Sequence, residues 1–369
     1  MMNRRHFLAA ASTSVAATPL LAALQSERWD DATRVLQQAI DSKQVDAAVL
    51  HVRQKDEQFT RPFGTAKSGN AMFLLGSISK PINVAALMTL FDQGKFQLED
   101  PVCRFIPEFT GDGREHVTIG HLLTHVSGLP DQVQNNNDLR RQHAPLAEFV
   151  QQTIRTPLGF APGTRYQYSS MGILLAARIG ELVSGMDMLS LVAKTVFEPL
   201  SMKHSAQGLG SFRLEDLVAC QMDGAAPESG GGDPQAKEWD WNSVYWRKLG
   251  APWGGTHASA PDVGTFLDEL LYARGRIVRP DTARLMTRNH NPKDFPARGL
   301  GLAIGPESGS SACSAQTFGH TGSTGTLCWA DPETNTICVV LTSLPRRAIM
   351  PHPREVAADY IAAACRPDR

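Results

Sequence analysis

The chain has 369 residues, 42% hydrophobic and 20% charged, enough for one large domain or two intimately packed lobes. Its 36 Lys and Arg nearly balance 37 Asp and Glu, for a net charge of -1, and no basic block interrupts the sequence. There is thus no overall field to draw in nucleic acid or an anionic membrane, and a small molecule is the expected partner.

The first residues read as a targeting segment. Asn3-Arg4-Arg5-His6-Phe7-Leu8 precedes a small and apolar stretch from Ala9 to Leu24, the pattern of a twin-arginine export signal over residues 1–26. It implies a periplasmic or secreted protein, with no stable membrane insertion once the signal is removed. Residues 27–369 are expected to form a single domain, with an α/β lobe over about 27–80 and 255–369 and a helical lobe over about 81–254.

Apolar residues at Ala32, Val35, Leu36, Ala39 and Ile40 form one helical stripe between Trp29 and Ser42. Asp46 to Gln54 and Gln58 to Ala66 read as two strands about Lys55-Asp56-Glu57. A helix from Ser77 to near Gly94 follows, almost wholly apolar after its first turn, and such a helix is buried all round. Thr118 caps a short helix that Ser127-Gly128-Leu129-Pro130 stops, and the Asn-rich stretch from Asp131 to Gln142 reads as a surface loop. Helices are expected at Leu146 to Thr153, Gly172 to Val183 and Met188 to Val196. Glycine density excludes a helix in Asp223 to Trp246, where Trp239, Trp241 and Trp246 either wall a cleft or pin an insertion down. Helices at Ala260 to Arg274 and Pro280 to Thr287 precede strands at Gly299 to Ile304, Gln316 to Thr321, Gly325 to Ala330 and Thr336 to Leu344. A helix near Glu355 to Ala364 closes the chain.

Strands thus lie at both ends of the chain and helices in the middle. The economical fold is α+β, an antiparallel sheet built from both chain ends, flanked by helices and carrying an inserted, mostly helical lobe. A cleft between the lobes is the natural site.

Six cysteines are too few for a disulfide scaffold, and none forms a Cys-x-x-Cys pair. A hairpin turning about Asp331 to Asn335 would set Cys328 opposite Cys338, where two buried thiols or a cross-strand bridge are both open readings.

Three stretches carry chemistry. In Ser77-Ile78-Ser79-Lys80 a hydroxyl and an amine sit three residues apart on one helical face, and a lysine whose pKa is lowered can take a serine's proton. The helix N-terminus directs free N–H groups at any oxyanion formed there. By itself this tetrapeptide is expected by chance about once in such a chain. The other two stretches are Pro162-Gly163-Thr164-Arg165-Tyr166-Gln167-Tyr168-Ser169-Ser170, a turn that opens the helix from Gly172, and Gly319-His320-Thr321-Gly322-Ser323 on a strand. His121 and His125 are four apart, but no third ligand follows at useful spacing, so no metal is expected, and no cofactor motif is present. The absence of Gly-x-Ser-x-Gly argues against an α/β-hydrolase.

In this order the three stretches resemble the serine β-lactamase and penicillin-recognising family, closest to its class C and carboxylesterase-like branch. His121 to Pro130, Phe197 to Met202, and Trp253-Gly254-Gly255-Thr256 with Asp262 extend the resemblance across about Phe73 to Leu344. It implies a β-lactamase/transpeptidase-like fold, acylation of Ser77, Lys80 as base or proton relay, and Tyr168 as a phenolate or proton shuttle. It also implies an oxyanion hole from the backbone N–H groups of Ser77 and Ser323, and substrate contacts from His320, Thr321, Gly322 and Ser170, with Gly322 letting a substrate backbone approach its strand. Two departures narrow this. Ser170 stands where the family carries Asn, and His320 where β-lactamases carry Lys, so an anchor for a substrate carboxylate is weakened. The expectation is a serine hydrolase of small acyl esters, with a β-lactamase or D-alanyl carboxypeptidase or aminopeptidase as the alternative. A catalytically silent binding protein on the same fold is the other.

Overall fold

The computed structural model describes residues 28–366, so the export signal read at 1–26 lies outside the described residues. Strands β1 (Ala47–Gln54), β2 (Glu57–Gly64), β6 (Ala303–Ile304), β7 (Phe318–Gly322), β8 (Thr326–Asp331) and β9 (Thr336–Thr342) form one antiparallel sheet. Its order is β2-β1-β9-β8-β7-β6, so the two chain ends meet at its centre. A small second sheet joins three short strands, β3 (Phe73–Leu74), β5 (Thr256–Ala258) and β4 (Ser205–Gln207), in the order β3-β5-β4. At two or three residues each, these have no alternation to announce them.

The pleat separates two cores. Val49, Cys328, Ala330, Val339 and Leu341 face the larger cluster, which includes the helical region, while Ala48, Leu50, Val52, Leu327, Cys338 and Val340 face the terminal helices Asp30–Asp41 and Pro353–Ala364. Both faces are therefore covered, and the helix Asp30–Asp41 needs only one apolar stripe, Ala32, Leu36 and Ala39. The helix Ser79–Asp92 has no such stripe, because all but its last two residues are buried, with the helices Ser170–Ser184 and Met188–Val192 packed against it.

Three expectations need correction. The segment read as a loop from Asp131 to Gln142 holds the helix Asn136–Arg141, anchored by buried Leu139 and Arg140. Within the glycine-rich insertion, Ser243 caps a helix at Val244–Leu249. The hairpin register also differs. Asp331 stays in the strand opposite Thr336, so Cys328 pairs with Val339 and Cys338 with Trp329. The turn is one residue shorter than read, and a one-residue slip sends the two cysteines to opposite faces. All six cysteines are free thiols.

Candidate active site

Ser77 sits on a tight 3-10 turn, Gly76–Ile78, that runs into the helix from Ser79. The turn leans on the end of β7. Thr324 Oγ1 donates to the Leu74 carbonyl at 2.7 Å, and Thr326 Oγ1 to the Leu75 carbonyl at 2.6 Å. Two glycines make this possible. Gly76 has φ +56°, and a Cβ on Gly322 would stand 2.2 Å from both the Leu75 carbonyl oxygen and Thr326 Oγ1. Gly322 therefore lets the turn that carries Ser77 approach this strand closely.

One helical turn on, Lys80 Nζ donates to Ser77 Oγ at 2.9 Å and to the Trp253 carbonyl at 3.0 Å. The side chain is fully buried. Burial lowers its pKa to about 7, Asp131 opposes this and Arg298 reinforces it. At neutral pH a free amine and an ammonium are thus both populated beside the serine.

Tyr168 completes the group. Lys80 Nζ lies 4.7 Å from its ring centroid, and burial raises its pKa above the ordinary tyrosine value, with the Ser77 hydroxyl the largest opposing influence. The side chain is a phenol at neutral pH, not the phenolate that was one of the two readings, because the neighbouring charges are outweighed by desolvation. Ser169 caps the following helix, accepting from Gly172 N–H at 2.9 Å. Ser170 N–H and Oγ donate to Asp131 Oδ1 at 2.9 and 2.5 Å.

On β7, His320 is buried and its Nδ1 pairs with the Thr321 carbonyl at 2.7 Å. Burial, with Lys80 and Arg298, lowers its pKa to about 3, so it brings no positive charge at neutral pH. Thr321 is half-buried and faces the cleft. Among the described residues neither the Ser77 nor the Ser323 amide donates to a backbone carbonyl outside the regular elements. A Cβ on Gly76 would be 3.3 Å from the Ser323 nitrogen, so the two amides belong to adjoining stretches of backbone. Ser77, Tyr168, Ser170, His320, Thr321 and Ser323 all line one cavity of about 830 Å³. Gly322 and Lys80 lie behind that wall.

Several groups here carried no signal in sequence. Asp131 follows the Ser127 to Pro130 stop and was read only as the start of a loop. Arg298 reaches over the rings of Tyr166 and Tyr168, at 5.3 and 5.9 Å, from a stretch without a motif. In sequence His125 stands out as half of a His121–His125 pair and as part of the family segment His121 to Pro130, with no role assigned to it. Its carbonyl accepts from Gln167 N–H at 2.9 Å, its Nδ1 from Ser169 N–H at 3.2 Å, and its ring lies 4.6 Å from that of Tyr168. It brackets the tyrosine on both sides. No group of three His, Cys, Asp or Glu that could hold a metal occurs among the described residues.

Comparison with known proteins fits this geometry. A family profile described as beta-lactamase matches residues 32–363. A candidate D-alanyl-D-alanine carboxypeptidase of Escherichia coli (strain K12) is 23% identical over 378 residues, covering 90% of this chain and 86% of that protein. Among solved structures, EstCE1, a hydrolase with promiscuous acyltransferase activity, has a TM-score of 0.74 at 22% identity, covering 91% of this chain and 100% of its own. The D-amino acid amidase of Ochrobactrum anthropi SV3 complexed with D-phenylalanine has a TM-score of 0.71 at 23% identity, covering 90% and 99%.

Proposed function

The chain belongs to the beta-lactamase family, whose members are serine hydrolases, and on that footing we propose that it is an exported enzyme cleaving small acyl esters or related acyl substrates through an acyl-enzyme on Ser77. The observation that carries the reading is the 2.9 Å bond between Lys80 Nζ and Ser77 Oγ, made by a lysine whose pKa burial lowers to about 7. An amine of that basicity, already in contact with the hydroxyl, meets the first requirement of an activated serine.

In the acylation step Ser77 Oγ attacks the substrate carbonyl while its proton passes to the free amine of Lys80. The tetrahedral oxyanion accepts from the Ser77 and Ser323 N–H groups. As the bond to the leaving group breaks, the Tyr168 hydroxyl gives that group a proton and recovers one from the Lys80 ammonium. Deacylation repeats the sequence with water as nucleophile, its proton moving to the same relay. Active-site labelling tests the assignment. A fluorophosphonate should modify the wild type on Ser77 and leave Ser77→Ala unmodified; equal labelling of both refutes it, and no labelling of either supports a silent binding protein on this fold.

One observation favours the second reading, a D-alanyl carboxypeptidase. Arg298 lines the cleft, and its Nε is buried without an acceptor, so this side chain can supply the positive charge that neutral His320 does not. Faster turnover of D-alanyl-D-alanine peptides than of nitrophenyl esters would select that reading, and faster turnover of nitrocefin would select a β-lactamase. Export rests on the paired arginines near the start of the chain. Among the described residues no helix is long and apolar enough to cross a membrane.

A further inference from the structure

The cleft holds a second unneutralised guanidinium, on the wall contributed by the middle of the chain. Among the described residues three arginines are buried, Arg140, Arg247 and Arg354. Arg247 donates to the Trp241 carbonyl at 2.6 Å and the Val218 carbonyl at 3.1 Å, and Arg354 to the carbonyls of Gly322 and Thr326 at 2.5 and 2.7 Å. Arg140 differs. It is 2% exposed, and its Nε and Nη1 are buried with no acceptor. Its Cζ lies 3.8 Å from the ring centroid of Trp246, so the guanidinium is held against an indole that cannot accept its N–H groups in plane. Its sequence neighbour Arg141 shows the contrast, pairing with Asp138 and Asp233 at 3.1 and 3.2 Å.

A buried guanidinium is costly unless an anion answers it. Arg140 lines the same cavity as Ser77, together with Trp241, Trp246 and Glu228. Burial disfavours the charged guanidinium, Tyr245 and then Glu228 oppose this, and no ion pair joins Glu228 to Arg140 among the described residues. The wall also connects to the catalytic group. Trp246 packs edge-on against Trp253 at 6.1 Å between ring centroids, and it is the Trp253 carbonyl that accepts from Lys80. Arg140 thus stands two indole rings from the base, too far for the reacting carbonyl and well placed for the far end of a substrate.

We propose that Arg140 is the counter-charge for a substrate carboxylate remote from the scissile bond, so that the enzyme takes acyl substrates carrying an acid group several bonds from the reacting carbonyl. A single carboxylate is the chemistry that fits, because Glu228 already contributes one negative charge to this wall and one guanidinium pairs bidentately with one carboxylate. The proposal rests on the hydrolase reading above.

The test uses the full chain with adipate as the probe and adipamide as its uncharged counterpart, read as competitive inhibition of neutral-ester hydrolysis and as a change in tryptophan fluorescence. Adipate should bind at least about tenfold more tightly than adipamide, and Arg140→Met should reduce that ratio at least about tenfold. Equal binding of the two by the wild type overturns the proposal, as does a ratio unchanged in Arg140→Met. If the variant does not fold, the comparison in the wild type decides whether charge is recognised, and Arg140→Lys, which keeps the charge but loses the fork, should retain a reduced preference. Fluorophosphonate labelling of the same samples separates the two readings: labelled Ser77 without adipate preference removes only the carboxylate proposal, whereas absence of labelling removes the hydrolase reading.

Discussion

The charges around Lys80 predict shifts in two opposite directions. With a pKa of about 7, about half of the lysines offer a free amine at neutral pH, where an exposed lysine would offer fewer than about one in a thousand. Asp131 pulls that value up and Arg298 pushes it down. A unit charge roughly 8 Å away at an effective dielectric of about 20 is worth ~2 kcal/mol, and solvent in the cleft reduces this to about one pH unit. An anion favours the ammonium, so Asp131→Asn should move the acid limb of the acylation rate about one unit to lower pH. Arg298→Gln removes a repelling cation and should move it about one unit to higher pH. Asn keeps an acceptor for the Ser170 N–H, so the loop need not rearrange. The assay is the second-order rate of Ser77 modification by a fluorophosphonate from about pH 5 to 9. Shifts of the same sign in both variants, or a wild type without a limb near 7, would refute the assignment of Lys80 as base.

Other outcomes follow from positions already described. His125 has φ +63°, a backbone that Asn tolerates well, so His125→Asn should keep most of kcat whereas His125→Phe, without a ring acceptor for Ser169 N–H, should lose about ten- to a hundredfold in kcat with a smaller change in KM; equal rates in the two variants would remove its positioning role. Gly322→Ala drives a methyl into the Leu75 carbonyl and should abolish labelling of Ser77 and lower Tm, and a normally labelled variant would contradict the packing of the nucleophile turn. Acid should destabilise the fold steeply. Burial lowers the pKa of His51 and His352 to about 4 and of His257 and His320 to about 3, so below about 6.5 the unfolded chain takes up protons that the folded chain refuses. Stability is full above that value and falls with each unit of acidification by ~1.4 kcal/mol per histidine. Cooperative loss of near-ultraviolet circular dichroism near pH 5 is expected, and a fold intact at about pH 4 would exclude neutral buried histidines.

The sequence spoke most clearly where a local rule and the final environment agree. Ser77 and Lys80 were legible because a helical spacing of three survives almost any packing, and the strands of the main sheet because their apolar residues are needed on both faces. What was hidden depends on partners distant in sequence. Arg140 and Leu139 are buried because the insertion carrying Trp246 folds over them, and nothing in Asn135-Asn136-Asn137-Asp138 foretells it. Asp131 matters through Ser170, and Trp253 through its carbonyl, which no side-chain pattern encodes. The hairpin shows how small the margin is: keeping Asp331 in its strand, where its carboxylate accepts from Ser314 at 2.7 and 2.9 Å, moved two cysteines from one face to two.

The meeting of the chain ends in the sheet also sets when the enzyme can exist. Ala47 N–H donates to Ser343 Oγ across 296 positions, and the turn bearing Ser77 leans on Thr324 and Thr326. A ribosome that stops before Phe318 has already made nucleophile, base and tyrosine, yet has made neither the Ser323 amide nor the strand that supports the turn. On the proposed mechanism such a chain lacks one of the two oxyanion donors and is expected to be inactive. The loop that must close is among the longest this sequence permits, so its closure is a slow and late step. On the proposed mechanism, labelling of Ser77 is therefore expected only from chains that extend past Ser323, and a chain truncated before Phe318 should not react with a fluorophosphonate.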